Sequence, residues 1–202
     1  MDIPPQIRNI IFDLGGVVMD LDVERSKKGF GDLGFDESSF HLQKDDGENI
    51  FVLLERGRIS GEEFFSRLKK ALPRPVGTET LREVWNLMIV GFREEKIRLL
   101  QELRERYRTF LLSNTNSIHI AKCNRILQEE YGISGLEALF EKTYYSHTTG
   151  LRKPMPEIFE LVLRENGLVP AETLFIDDSE EHLAAAKSLG IVTRWMERNG
   201  EL

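Results

Sequence analysis

Three short apolar runs in this 202-residue chain show no alternation of polar and apolar residues across their middles. They centre on Ile10-Ile11-Phe12, Phe110-Leu111-Leu112 and Leu174-Phe175-Ile176. A strand with one wet face alternates. A strand buried on both faces does not, and such strands belong to parallel sheets covered by helices on either side. Turn residues and then a helical pattern follow these runs, which is the rhythm of right-handed β-α-β units. Lys142 to Ser146 and Ile191 to Trp195 read as two further strands.

Between the strands, apolar spacing predicts helices over 94–106 (Ile97, Leu100, Leu103) and 117–130 (Ile118, Ala121, Ile126, Leu127), the latter stopped by Gly132. Others span 156–165, ending at Asn166-Gly167, and 180–189, ending at Gly190; glycine just past a helix is a usual stop. The expected fold class is α/β, a Rossmann-like three-layer α/β/α arrangement around a parallel sheet. Residues from about 22 to 92 break the rhythm and read as helices only. Asp22 caps one over 23–30, Asn49 to Glu55 forms part of another, and Ser60 with Glu63 makes a capping box. The helix after Ser60 runs to Leu72, before Pro73 and Pro75, and a last one covers Thr80 to Val90 with Leu81, Val84, Trp85 and Met88 on one face. The expected organisation is a core of residues 1–20 and 93–202 with a helical cap over 21–92.

Charge narrows the function. Lys and Arg total 27 against 34 Asp and Glu, a formal charge of −7, which argues against a general nucleic-acid binder. No apolar run approaches the roughly 18–20 residues of a membrane span, and Met1-Asp2-Ile3-Pro4-Pro5 lacks a secretory signal's basic and apolar regions. A cytoplasmic location is expected. Cys123 is the only cysteine, so internal disulfides and multi-cysteine zinc sites are excluded. The four histidines form no zinc-binding pattern. Cys123, Trp85 and Trp195 read as packing residues.

Ligands of open parallel sheets bind beyond the carboxyl ends of the strands. The polar groups there are Asp13 with Gly15, Ser113-Asn114, Lys153 and Asp177-Asp178. Singly, each has an ordinary reading as a turn, a helix cap or a solvated lysine. In this order they resemble the haloacid dehalogenase (HAD) superfamily of phosphohydrolases, in the form with a helical C1-type cap after the first strand. Ile10-Ile11-Phe12-Asp13-Leu14-Gly15-Gly16 matches the first motif and Leu111-Leu112-Ser113-Asn114 the second. Gly150-Leu151-Arg152-Lys153-Pro154 matches the third, and Phe175-Ile176-Asp177-Asp178-Ser179 the fourth. The chain is most similar to the sugar-phosphate phosphatases that also read Asp-Leu-Gly in the first motif, the α-D-glucose-1-phosphate phosphatase type.

The resemblance implies roles. Asp13 attacks phosphorus and carries an aspartyl-phosphate. Asp13, Asp178 and the Gly15 backbone oxygen hold Mg²⁺, with Asp177 a direct ligand or one layer out. Ser113, Asn114 (through its backbone N–H) and Lys153 bind the phosphoryl group, and Lys153 also orients Asp13. The physics agrees: a carboxylate and a phosphate charge ~4 Å apart repel by about 4 kcal/mol at an effective dielectric of 20. Mg²⁺ offsets this and needs only one or two carboxylates.

One departure stands out. The commonest first motif has a second aspartate two residues after the nucleophile, to protonate the leaving alcohol. Here that position is Gly15, and such acid–base help is worth about 10²–10⁴-fold. Either the leaving group is a good one, or another acid substitutes (Asp20 or Asp22, the latter more simply a helix cap), or activity is weak or lost. Lys44 and Arg58 are candidates for a second charged substrate group, with a solvated surface role as the plainer reading. The expected function is a Mg-dependent phosphomonoesterase acting on a small phosphorylated metabolite, a sugar phosphate. Its partner is that small-molecule ester, with no nucleic acid or membrane, and the protein is a monomer or homodimer. The alternatives are a metal-independent 2-haloacid dehalogenase, against which the Asp177-Asp178 pair speaks, and a non-catalytic phosphate-ligand sensor.

Overall fold

In the computed structural model, residues 3–35, 44–45 and 48–202 are described. The chain enters through β1 (Asn9–Phe12) and turns into β2 (Met19–Leu21). The insertion follows: α1 (Val23–Asp32), the short strands β3 (Lys44–Asp45) and β4 (Glu48–Asn49), then α2 (Ile50–Glu55), α3 (Gly61–Ala71) and α4 (Thr78–Asn86). Strand β5 (Ile89–Phe92) returns the chain to α5 (Glu94–Arg106), β6 (Arg108–Ser113), α6 (Ser117–Tyr131) and β7 (Lys142–Tyr145). The remaining elements are α7 (Ser146–Thr149), α8 (Pro156–Asn166), β8 (Thr173–Asp177), α9 (Glu180–Ser188) and β9 (Val192–Trp195).

Five strands form one parallel sheet in the order β7-β6-β1-β8-β9. Successive residues point to opposite faces, and both faces are dry. Ile10, Phe12, Leu111 and Ile176 join the cluster containing Ile97 and Leu100 of α5 and Leu127 of α6. Ile11, Phe110, Leu112 and Phe175 pack with Ile158 and Phe159 of α8 and Ala186 of α9. This is the expected α/β/α layering, and it explains the missing alternation. The first cluster runs on without a break into the insertion through Phe30, Leu54, Phe64 and Trp85. No helix among the described residues is long and apolar enough to cross a membrane.

Local chemistry sets the helix ends. Ser60 Oγ accepts from the Glu63 N–H, Asn49 Oδ1 from Phe51 and Val52, and Asp22 Oδ1 from Glu24. Each satisfies an N–H that the first turn leaves without a partner. The insertion is not purely helical, however. The helix expected over Thr80 to Val90 ends at Asn86, and Ile89–Phe92 pairs antiparallel with Met19–Leu21. The spacing of Leu81, Val84, Trp85 and Met88 suits a helix throughout. Yet Met88 is buried from outside the helix, because β5 must turn to meet β2. Trp195, read as a packing residue, is 56% exposed on edge strand β9.

Candidate active site

Strand β1 lies at the point where the connections diverge, with β6 on one side and β8 on the other. That switch point is where parallel sheets bind ligands. Asp13 follows β1 directly, and its N–H still donates to the Ile176 carbonyl at 2.9 Å, so the sheet holds it. Ser113 ends β6, Asp177 ends β8, and Asp178 follows. The chain can then reverse past Asp178 only because position 16 is glycine. Its φ is +86°, and a Cβ there would lie 2.8 Å from Asp178 Oδ2.

Lys153 arrives from the loop between α7 and α8 and sits fully buried among these acids. Its Nζ donates to Asp13 Oδ1 at 2.6 Å and to Asp177 Oδ2 at 2.7 Å. The loop is clamped by Asn114: Oδ1 accepts from the Lys153 N–H at 2.9 Å and Nδ2 donates to the Lys153 carbonyl at 2.8 Å. The Asn114 side chain therefore positions Lys153, and its backbone N–H is what remains for an anion. Asp177 also accepts from the Ser179 N–H at 2.8 Å and lies 3.0 Å from His182 Nδ1. Asp178 pairs with Arg198 Nε at 2.6 Å through its Oδ2.

Burial pushes the Asp13 carboxyl up to about 6, against the pull of Lys153 and with the repulsion of Asp177. Burial would raise Asp177 too, yet Lys153 and His182 hold it down at about 2. Burial alone would lower the Lys153 ammonium, but Asp13 and Asp177 keep it above the ordinary lysine value. The buried charges are thus paired, as burial requires. Carboxylate oxygens of Asp13, Asp177 and Asp178 lie within 4.8 Å of one another. Three acids against the buried Lys153 and the more exposed Arg198 leave one negative charge in excess, and an all-oxygen donor set suits Mg²⁺.

Above this floor a cavity of about 620 Å³ separates the strand ends from the insertion. Gly15, Ser113 and Asn114 line its base, and Phe30, Phe51 and Trp85 line its far side. The two acids considered as substitutes for a carboxyl at position 15 have partners of their own. Asp22 caps α1, while Asp20 meets Arg93 at 3.0 Å and the buried Lys96 at 3.1 Å. Arg58 is exposed and does not line the cavity; the side chain of Lys44 falls outside the described residues. Cys123 is buried, with Sγ 3.3 Å from Met19 Sδ and its thiol pushed by burial up to about 12, so it is packing. Sequence reasoning passed over His182, Arg198 and Glu55. Only His182 left a signal, five residues past Asp177 in the first turns of α9; the others approach from distant segments.

Comparison with known proteins gives the same answer as the geometry. Residues 7–190 match the family model of the haloacid dehalogenase-like hydrolases. The chain is 34% identical over 194 residues to the D-ribitol-5-phosphate phosphatase of Bacteroides thetaiotaomicron, covering 93% of this chain and 90% of that one. A HAD family enzyme of the same organism, solved in complex with magnesium and inorganic phosphate, superposes with a TM-score of 0.86 at 36% identity over 96% of each chain. A predicted HAD-like family hydrolase from Porphyromonas gingivalis gives 0.85 at 34% identity, covering 97% of this chain and 94% of that one. The four motifs at the strand ends, the parallel sheet beneath them and these matches agree, and the chain belongs to the haloacid dehalogenase-like hydrolase family.

Proposed function

We propose that this protein is a magnesium-dependent phosphomonoesterase that works through an aspartyl-phosphate on Asp13. The observation that carries the reading is the buried Lys153 ammonium, 2.6 Å from Asp13 and 2.7 Å from Asp177, beside a three-carboxylate cluster. Asp13, Asp178 and the Gly15 carbonyl hold the cation, with Asp177 beside them. When bound, Mg²⁺ offsets the repulsion between the Asp13 carboxylate and the phosphate dianion.

The rest is done by the chain itself. Lys153 fixes which Asp13 oxygen faces the substrate and supplies positive charge to the phosphoryl group. Ser113 and the Asn114 backbone N–H donate to phosphoryl oxygens. Asp13 attacks phosphorus, the ester oxygen departs, and water then displaces Asp13 from phosphorus. Residues 21–92 act as a cap that closes the cavity over the core of residues 1–20 and 93–202, excluding water. The substrate is a small sugar or sugar-alcohol phosphate, a reading supported by the D-ribitol-5-phosphate phosphatase relative. Metal-free dehalogenation gives the three clustered acids no task.

Turnover of p-nitrophenyl phosphate with Mg²⁺, and its loss on chelation, tests this. Asp13→Asn is expected to lower kcat by about a thousandfold or more with an unchanged melting temperature. Hydrolysis that survives in this variant removes the covalent mechanism.

A further inference from the structure

We propose that Glu55, at the end of α2, is the acid–base residue for the leaving group, in place of the carboxyl that position 15 lacks. The proposal rests on the phosphatase reading above. In phosphoryl transfer the attacking and leaving oxygens stand roughly in line. With Asp13 attacking from the floor, the ester oxygen departs towards the cavity. Among the described residues that line this cavity, Glu55 is the one carboxylic acid.

The other proton-bearing groups there are committed. His119 lies with Nε2 at 3.2 Å from the Trp85 carbonyl and Nδ1 at 3.2 Å from Asn116 Nδ2. Lys27 pairs with Glu24. A Cβ at position 15 would meet Leu21 Cδ2 at 3.2 Å, so a side chain there requires Leu21 to give by a few tenths of an ångström.

Glu55 is held where the insertion touches the core. Gly57, at φ +63°, lets the following turn pass so near the His147 carbonyl that a Cβ would collide with it. Arg56 Nε donates to the Gly150 carbonyl at 3.3 Å. The Glu55 carboxylate meets Arg152, the neighbour of Lys153, at 3.0 Å. Burial raises the carboxyl above the usual glutamate range, while Arg152 and, more weakly, His182 pull it back. A carboxyl poised between these influences can give a proton and take it back.

The cycle balances. As Asp13 forms its bond to phosphorus and the phosphorus–ester oxygen bond breaks, the Glu55 proton passes to the departing oxygen, releasing an alcohol. Arg152 stabilises the carboxylate left behind. Glu55 then takes a proton from the water that attacks the aspartyl-phosphate, and cleavage of the Asp13–phosphorus bond releases phosphate.

The test is the dependence on leaving-group acidity of kcat/KM, which reports transfer of the phosphoryl group to Asp13 and not the later hydrolysis that all substrates share. With saturating Mg²⁺, Glu55→Gln is expected to lose about 10²-fold or more on alkyl phosphates. On p-nitrophenyl phosphate, whose phenolate leaves with little protonation, the loss is expected to be under about tenfold. Equal losses on both, or none on alkyl phosphates, overturn the assignment. Should Glu55→Gln fail to fold, Glu55→Asp is measured in the same way, and the same unequal loss is required of it. Failure of the phosphatase reading looks different: wild type then turns over neither ester.

Discussion

At the strand ends that carry Gly15, Ser113 and Asn114 to the base of the cavity, the charged floor of Asp13, Asp177 and Lys153 is caged by the sheet and by contacts of 2.6–2.7 Å. On the opposite side, Phe51 and Trp85 lie with ring centroids 5.3 Å apart, Trp85 stacks on His119 of α6 at 4.6 Å, and Phe30 packs against Trp85 at 6.3 Å. The floor is charged and fixed by the hydrogen-bonded register of the sheet. The roof is aromatic, and contact area rather than direction holds it in place. Glu55, paired with Arg152, links the two. On the proposed function, chemistry that tolerates no displacement is built on strands, while the aromatic side of the cavity rests on packing that can change without moving the charged floor.

Breaking the floor should cost most. Lys153→Met leaves Asp13 and Asp177 facing each other without their shared counter-ion. Removing one partner of a buried pair costs about 3–5 kcal/mol. A large fall in urea midpoint without Mg²⁺, part of it recovered on adding the cation, is the expected result, together with lost turnover. An unchanged midpoint would mean that the pairing is not structural.

Breaking the roof should cost less. Trp85→Ala removes the ring at the centre of the aromatic group, and the destabilisation expected in a denaturant titration is about 3 kcal/mol. KM for a bulky ester should rise more than kcat falls, because the floor does not touch this ring. A kcat loss as large as that of Lys153→Met would erase the distinction between the two regions.

The smallest effect sharpens the comparison through pH. Burial lowers His119 to about 4, so an unfolded chain with the ordinary histidine value of 6.5 takes up the proton first on acidification. The folded state loses nothing above pH 6.5 and weakens progressively between pH 6.5 and 4, by up to about 3 kcal/mol. The Asp177 contribution has the opposite origin: its carboxyl is held low, and its stabilisation is lost only as pH falls from about 3.8 towards 2. Urea midpoints at pH 7.5 and 5, read as the difference between wild type and His119→Phe, isolate the roof, because the Asp13 carboxyl, raised to about 6, titrates in both proteins and cancels.

The acids of the floor were legible because Asp13, Asp177 and Asp178 directly follow apolar runs that read as buried strands, so position along the chain gives position in space. Lys153 comes from the loop after Ser146–Thr149 and was legible only through the motif around it. The flap was not legible. Leu81, Val84, Trp85 and Met88 keep helical spacing through the bend after Asn86, and the pairing of Ile89–Phe92 with Met19–Leu21 joins segments about 70 residues apart. The ion pairs of Asp20 were hidden for the same reason. Its partners Arg93 and Lys96 belong to the returning chain, and nothing near Asp20 in sequence announces them.

Sequence alone determined the parallel sheet, the helix caps and the three acids at the strand ends, because burial periodicity and capping act over a few residues. Tertiary structure decided which charges pair and which acid, Glu55 with its partner Arg152, lines the cavity. Those outcomes depend on desolvation and on charges brought together across the fold, and neither exists until the insertion has packed over the sheet.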